Sequence, residues 1–310
     1  MKSDKNSLIG FVLLGILFFS YFWYTNQQQT ALVAFKKQQE DSTAKAQAKL
    51  VKPQDVVAAK IDSLQRDSIA KIATAGNFAQ AALGKDTTVT IENELISVVL
   101  TNKGGQVKSV SLKKYTISDT AAVKLVQQNQ MGYAVNTADN KTAFTSDLYF
   151  TPSTITKSSD GSSSIKFIIA SATGTSIIHT YTLHPNSYAL DWDIELVGAS
   201  QLLTAGVLNF KWLSETNQLE RTAEYERQMS NICFSEGNEF DYISANNEKT
   251  FEKPVQWVSV VQQFFNTTLI AKNSFNSGAV NWSRYTDSSS KLATTKTELQ
   301  IKLPQAATNK

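Results

Sequence analysis

Three different spacings of apolar residues divide this 310-residue chain. From Leu8 to Tyr24, LIGFVLLGILFFSYFWY, apolar and aromatic residues follow one another without a single charge. A helix that is hydrophobic on every face suits lipid better than a position against a core. Its eleven Leu, Ile, Val and Phe residues favour insertion by roughly 3–6 kcal/mol. Seventeen helical residues span only about 25 Å of a hydrocarbon layer about 30 Å thick, so the ends must help. Tyr21, Trp23 and Tyr24 supply an interfacial aromatic belt, while Lys2 and Lys5 snorkel to headgroups at the other end. The residues assigned to this anchor (1–24) are Leu8, Phe11, Leu14, Leu17, Phe18, Tyr21, Trp23 and Tyr24.

From Thr25 to Thr87 the pattern loses its apolar content and becomes rich in Gln, Ala, Lys, Asp and Ser. This stretch (25–87) reads as a partly helical linker, with Val57, Ile61, Leu64, Ile69 and Ile72 on a weak stripe after Pro53. The stripe is too short for a coiled coil. After Thr87 the period shortens to two. In TVTIENELISVVLTNKGGQVKSVSLKKY, Ile96, Val98 and Leu100 share one strand face, and Val110 and Leu112 return on the next. Gly104 and Gly105 supply the positive φ of the turn between them, and Asn102 can bond its own following backbone. Further strands are read at AVKLVQ, KTAFTSDLYF, SIKFIIAS, TSIIHTYTLH, YALDWDIELVG, LTAGVLNFKW, WVSVVQQFFNTTLIA and KTELQIKL. No strong helix alternates with them, so residues 88–310 are expected to form a mainly β domain, a large antiparallel β-sandwich.

Composition changes this picture little. Net charge is +3 with 18% charged residues, which lacks the basic footprint of a nucleic-acid binder. Cys233 is the only cysteine; it cannot form an internal disulfide and reads as a small buried hydrophobe. A cleaved signal peptide needs a small-x-small site just past the apolar run, and the nearest, Ala44-x-Ala46, is more than twenty residues beyond it. Lys2 and Lys5 against a nearly uncharged exit place the N-terminus in the cytoplasm.

Candidate chemistry is sparse. His179 and His184 are five residues apart and point to opposite faces of a strand, and no acidic or Cys cluster stands at ligand spacing, so no metal or cofactor is expected. Glu220, Arg221, Glu224, Glu226 and Arg227 could set two carboxylates on one helix face, as in a glycosidase, but alternating charge reads more simply as a solvated segment. No G-x-S-x-G, H-E-x-x-H or P-loop pattern occurs. Trp192, Trp212, Trp257 and Trp282 are either sandwich core or an exposed platform for sugar or peptide, and Trp192, alternating with Leu190 and Ile194, favours core.

The start MKSDKNSLIGF, the hairpin ELISVVLTNKGGQVKSVSLKKY and the segment QWVSVVQQFFNTTLIAKN occur together in an order that resembles the YidC/Oxa-type membrane protein insertases, in the Gram-negative form with a large periplasmic domain after the first transmembrane helix. The most recognisable block of that domain corresponds to Trp257, Val258, Gln262, Gln263, Phe264 and Phe265, whose aromatics are expected in the core whether the block is helix or strand. Gly104 and Gly105 complete the structural motif residues. The resemblance implies a supersandwich similar to galactose mutarotase, held in the periplasm by an inner-membrane anchor. Its implied partners are the lipid bilayer and nascent membrane proteins, with the Sec translocation channel as a further one. It implies no catalysis, and the helices that carry the insertion groove are expected beyond Lys310. The alternative reading is a freestanding anchored periplasmic module that binds carbohydrate or polypeptide.

Overall fold

A computed structural model describes residues 65–117, 121–126, 128–138, 141–245, 247–286 and 290–304. The anchor residues from Leu8 to Tyr24 lie outside the described residues, among which no helix is long and apolar enough to cross a membrane. The described residues from 67 onward form one compact unit.

A helix over 65–75, with Lys71 bridged to Asp67 at 2.6 Å, leads into the 3-10 turn Gly76–Ala81. Within the stretch read from sequence as linker, Ala75, Phe78, Ala81 and Ala82 are buried in the hydrophobic core. Burying a phenylalanine contributes about 1.5–3 kcal/mol, enough to hold this turn against the domain. Its Ala81 carbonyl also accepts from Tyr149 N–H.

Strands β1 (Thr88–Glu92), β2 (Ile96–Thr101), β3 (Gln106–Ile117) and β4 (Ala121–Val126) form a meander in sequence order. β5 (Gln128–Ala138) and β6 (Lys141–Phe144) begin a second sheet. β7 (Thr151–Pro152), β8 (Thr156–Lys157), β9 (Ser163–Ala170), β10 (Ser176–Leu183) and β11 (Leu190–Val197) make a third, in the order β11-β10-β9-β7 with β8 also on β9. After β12 (Val207–Asn217) come β13 (Asn231–Glu236), β14 (Glu239–Ile243), β15 (Glu248–Phe251), β16 (Val255–Val261), β17 (Asn266–Phe275), β18 (Ser277–Arg284) and β19 (Lys291–Lys302). These complete a six-stranded sheet, β15-β18-β19-β12-β5-β6, and a four-stranded one, β14-β13-β16-β17. The strand pairings are antiparallel among the described residues, as the period-two pattern predicts.

Aromatic contacts show how the layers pack. Trp192 of β11 meets Phe210 of β12 edge-to-face at 5.7 Å, which seats the third sheet on the six-stranded one. Phe234 of β13 meets Phe251 of β15 at 5.1 Å, which does the same for the four-stranded sheet. Trp212 and Trp282 are buried between layers. Two expected strands are shorter than read. KTAFTSDLYF breaks after Phe144 into the 3-10 turn Thr145–Asp147, where Thr145 and Ser146 are buried against β5. LTAGVLNFKW begins with a 3-10 turn in which Ala205 has φ +53, so its strand starts at Val207.

Candidate functional site

The double glycine does more than close a hairpin. Gly104 and Gly105 have φ of +80° and +52°, and Gly105 lies under Phe150 and Phe167. The Asn102 side chain does not cap its own following backbone as expected; it accepts from Thr87 N–H at 2.8 Å and donates to the Lys85 carbonyl at 3.0 Å. It thereby ties the lead-in of β1 to the turn. The Gly105 carbonyl points into the core, where the Tyr181 hydroxyl donates to it at 2.8 Å and His179 Nδ1 lies at 2.8 Å. A carbonyl only accepts, so Nδ1 carries the proton and Nε2 accepts from the Tyr133 hydroxyl at 2.8 Å. His179 is 1% exposed, with Phe150 at 4.7 Å and Trp192 at 5.2 Å from its ring. Burial pushes its pKa down to about 4, partly opposed by the Gly105 hydrogen bond. The same burial raises the Tyr133 and Tyr181 pKa values well above the usual phenol range. The node is neutral, saturated and sealed, so its chemistry is structural: it satisfies a buried carbonyl that the glycine turn forces inward.

The second histidine belongs to a different constellation. His184 lies just beyond β10, with Nδ1 2.8 Å from Ser162 Oγ and Nε2 3.1 Å from Asp191 Oδ2. Spacings of 22 and 7 residues hid this serine–histidine–aspartate geometry in the sequence. It is not a nucleophile in waiting. Ser162 donates its hydroxyl proton to Asp160 Oδ2 at 2.9 Å and its N–H to Oδ1 at 3.0 Å, and these bonds hold the Asp160 carboxyl below its usual range. A hydrolytic serine must instead give its proton to the imidazole. The cluster is better read as a clasp between the turn before β9 and the loop before β11. Among the described residues no three His, Cys, Asp or Glu side chains are grouped to hold a metal ion.

The WVSVVQQFF block is a strand and a turn. β16 carries Val258 inward at 0% exposed, while Trp257 is half-buried on the outer face, 6.1 Å from the Phe240 ring. Gln262 N–H donates to the Phe265 carbonyl at 2.7 Å and closes the turn. That geometry divides the aromatics. Phe265 packs edge-on to Tyr115 at 5.7 Å, but Phe264, expected in the core, is 69% exposed because the turn directs it outward. Gln263 is half-buried.

Gln262 itself is buried and makes the block's principal polar contacts, donating to the Asn217 carbonyl at 2.9 Å and to Glu226 Oε1 at 3.2 Å. Glu226 was expected in a solvated charged segment. It is 1% exposed, on the inner side of the helix Ala223–Met229, and its Oε2 accepts from the N–H groups of Leu219 and Glu220 at 3.0 and 3.1 Å. Burial raises its pKa, against the pull of those hydrogen bonds. The carboxylate ends an irregular stretch of backbone that has no strand partner. Glu226→Ala is therefore expected to cost about 2 kcal/mol of stability by leaving the buried Leu219 N–H and the half-buried Glu220 N–H unpaired. Glu224→Ala, at an exposed position, is expected to change stability by less than about 0.5 kcal/mol. Urea unfolding of both variants checks the contrast.

A family profile described as the YidC periplasmic domain matches residues 88–310. Among curated proteins, the chain is similar to the membrane protein insertase YidC of Bacteroides fragilis, with 29% identity over 293 residues, covering 89% of this chain and 44% of the relative. The corresponding protein of Parabacteroides distasonis is 28% identical over 288 residues, covering 88% and 45%. That of Cytophaga hutchinsonii is 27% identical over 270 residues, covering 85% and 42%. The chain thus spans less than half the length of these relatives. Among solved structures, a galactose mutarotase related enzyme from Lactobacillus acidophilus superposes with a TM-score of 0.45 and 13% identity, over 68% of this chain and 85% of that one.

Proposed function

We propose, from the premise that the chain belongs to the YidC periplasmic domain family, that it is the anchor and periplasmic portion of a membrane protein insertase. The observation that carries this reading is the family match across residues 88–310, the whole of the β domain. In this reading residues 8–24 tether the chain in the inner membrane with the N-terminus in the cytoplasm, and the four sheets form a supersandwich on the periplasmic side. Its partners are the bilayer, nascent membrane proteins and, as a further one, the Sec translocation channel. The work assigned to the whole insertase is physical rather than covalent, since a polar path lowers the several kcal/mol that each unsatisfied polar group costs in hydrocarbon. This portion is assigned no bond chemistry.

The test joins residues 1–310 to the remaining C-terminal half of the Bacteroides fragilis relative and expresses the chimaera in cells depleted of their own insertase. Restored insertion of a single-span reporter is the expected result. A chimaera that is stably made yet inactive, beside an active intact relative, would overturn the proposal. Alkaline phosphatase fused after Lys310 tests the topology separately. The fusion is expected to be active, and an inactive, stable fusion would place the domain on the other side.

A further inference from the structure

The strand β14 ends its sheet on one side, and residues Glu239 to Tyr242 are all exposed. It returns from β13 through the two-residue turn Gly237–Asn238, whose φ angles are +61° and +67°, with Glu236 paired to Glu239. In such a hairpin the residues flanking the turn exchange both backbone bonds, so alternate residues on the outer strand turn theirs away. Phe240 and Tyr242 are those residues. Their N–H and C=O groups face outward along an edge that is open among the described residues, and the Tyr242 N–H is held by Asp241 Oδ1 at 2.8 Å.

Side chains along this edge divide by chemistry. On one face Phe240 is 64% and Tyr242 54% exposed, and the row from Phe240 runs across the sheet to Trp257 and Ile270. The other face of the strand carries Glu239 and Asp241. An open backbone ladder is a template on which another extended chain can pair. A second copy fits poorly, because antiparallel pairing centred on Asp241 sets that carboxylate against itself. A strand with apolar residues on the aromatic side and basic residues on the acidic side matches both faces. A basic side chain that took the Asp241 carboxylate would also free the Tyr242 N–H for the ladder.

We propose that β14 takes up, by strand addition, an extended polypeptide segment in which apolar and basic residues alternate. The site goes beyond the insertase reading and stands or falls apart from it. The test uses the full 310-residue chain in detergent micelles and two dye-labelled peptides, four repeats of valine-lysine and four of valine-glutamate, followed by fluorescence anisotropy and by hydrogen exchange. The valine-lysine peptide is expected to bind and to protect the Phe240 and Tyr242 amides, and the valine-glutamate peptide to bind about ten-fold more weakly. Tyr242→Pro removes an N–H that β13 does not use, so it is expected to weaken binding about ten-fold without moving the urea midpoint. Asp241→Lys, at an exposed position, is expected to reverse the preference between the peptides. Equal binding of both peptides, protection elsewhere, or an unchanged preference in Asp241→Lys would overturn the proposal, and this last result decides if Tyr242→Pro fails to fold.

Discussion

Replacing Gly105 by alanine is expected to destabilise the domain by about 2–4 kcal/mol, as the sum of a left-handed backbone penalty of about 1 kcal/mol and overpacking of about 1–3 kcal/mol. The added Cβ would stand 3.0 Å from Phe150 Cγ and 3.0 Å from Phe167 Cβ, so both buried side chains would have to shift by a few tenths of an ångström. The backbone cannot simply rotate away. Its carbonyl is the common acceptor for His179 and Tyr181, and moving it breaks both bonds. Denaturation in urea at pH 7 reads the effect as a lower midpoint with unchanged slope. A loss below about 1 kcal/mol would show that the turn is not the fixed point described.

Acid is expected to remove about 3 kcal/mol of stability through His179 alone. Its folded pKa of about 4 lies below the ordinary value of 6.5, so between those values the unfolded chain binds a proton that the folded chain refuses. The stabilisation is therefore complete above about pH 6.5 and lost as pH falls toward 4. Glu226, with its raised pKa, acts in the opposite sense, because its folded carboxylate takes up a proton at a higher pH than the unfolded one. The comparison that isolates His179 is the difference in unfolding free energy between pH 7 and pH 4.5 for the natural chain and for His179→Gln. The natural chain is expected to lose more, by about 2–3 kcal/mol; equal losses would mean that the ring is not held neutral.

What the sequence shows depends on whether the signal is local. Ile96, Val98 and Leu100 declare their strand by alternation, and all three are buried. Gly104 and Gly105 declare a turn, but nothing local shows that His179, 74 residues on, binds its carbonyl. Glu226 sits in a run whose alternating charges read as solvent-exposed, and only the irregular backbone at Leu219 and Glu220 explains its burial. Phe264 and Phe265 are adjacent and chemically alike, yet one turn geometry exposes the first and half-buries the second against Tyr115. The hairpin of β13 and β14 is not among the strands that alternation predicts, although Gly237 and Asn238 sit between its two strands as a two-residue turn signal. Its charged and aromatic residues mask the apolar period because one face of that strand is open to solvent.

The position of β19 has a consequence for the order of events during synthesis. It is the last of the described strands, yet it lies inside the six-stranded sheet between β18 and β12. Until residues 291–302 arrive, β12 and β18 have no common neighbour, and their facing edges stay unpaired. At about 5–20 residues per second, the central sheet of an emerging chain waits on residues 291–302 while the earlier meander, β1 to β4, can already pair locally. Long-range closure of this kind is slow relative to local pairing, and a chain cut short before Lys291 would carry two open edges where the finished domain has its middle.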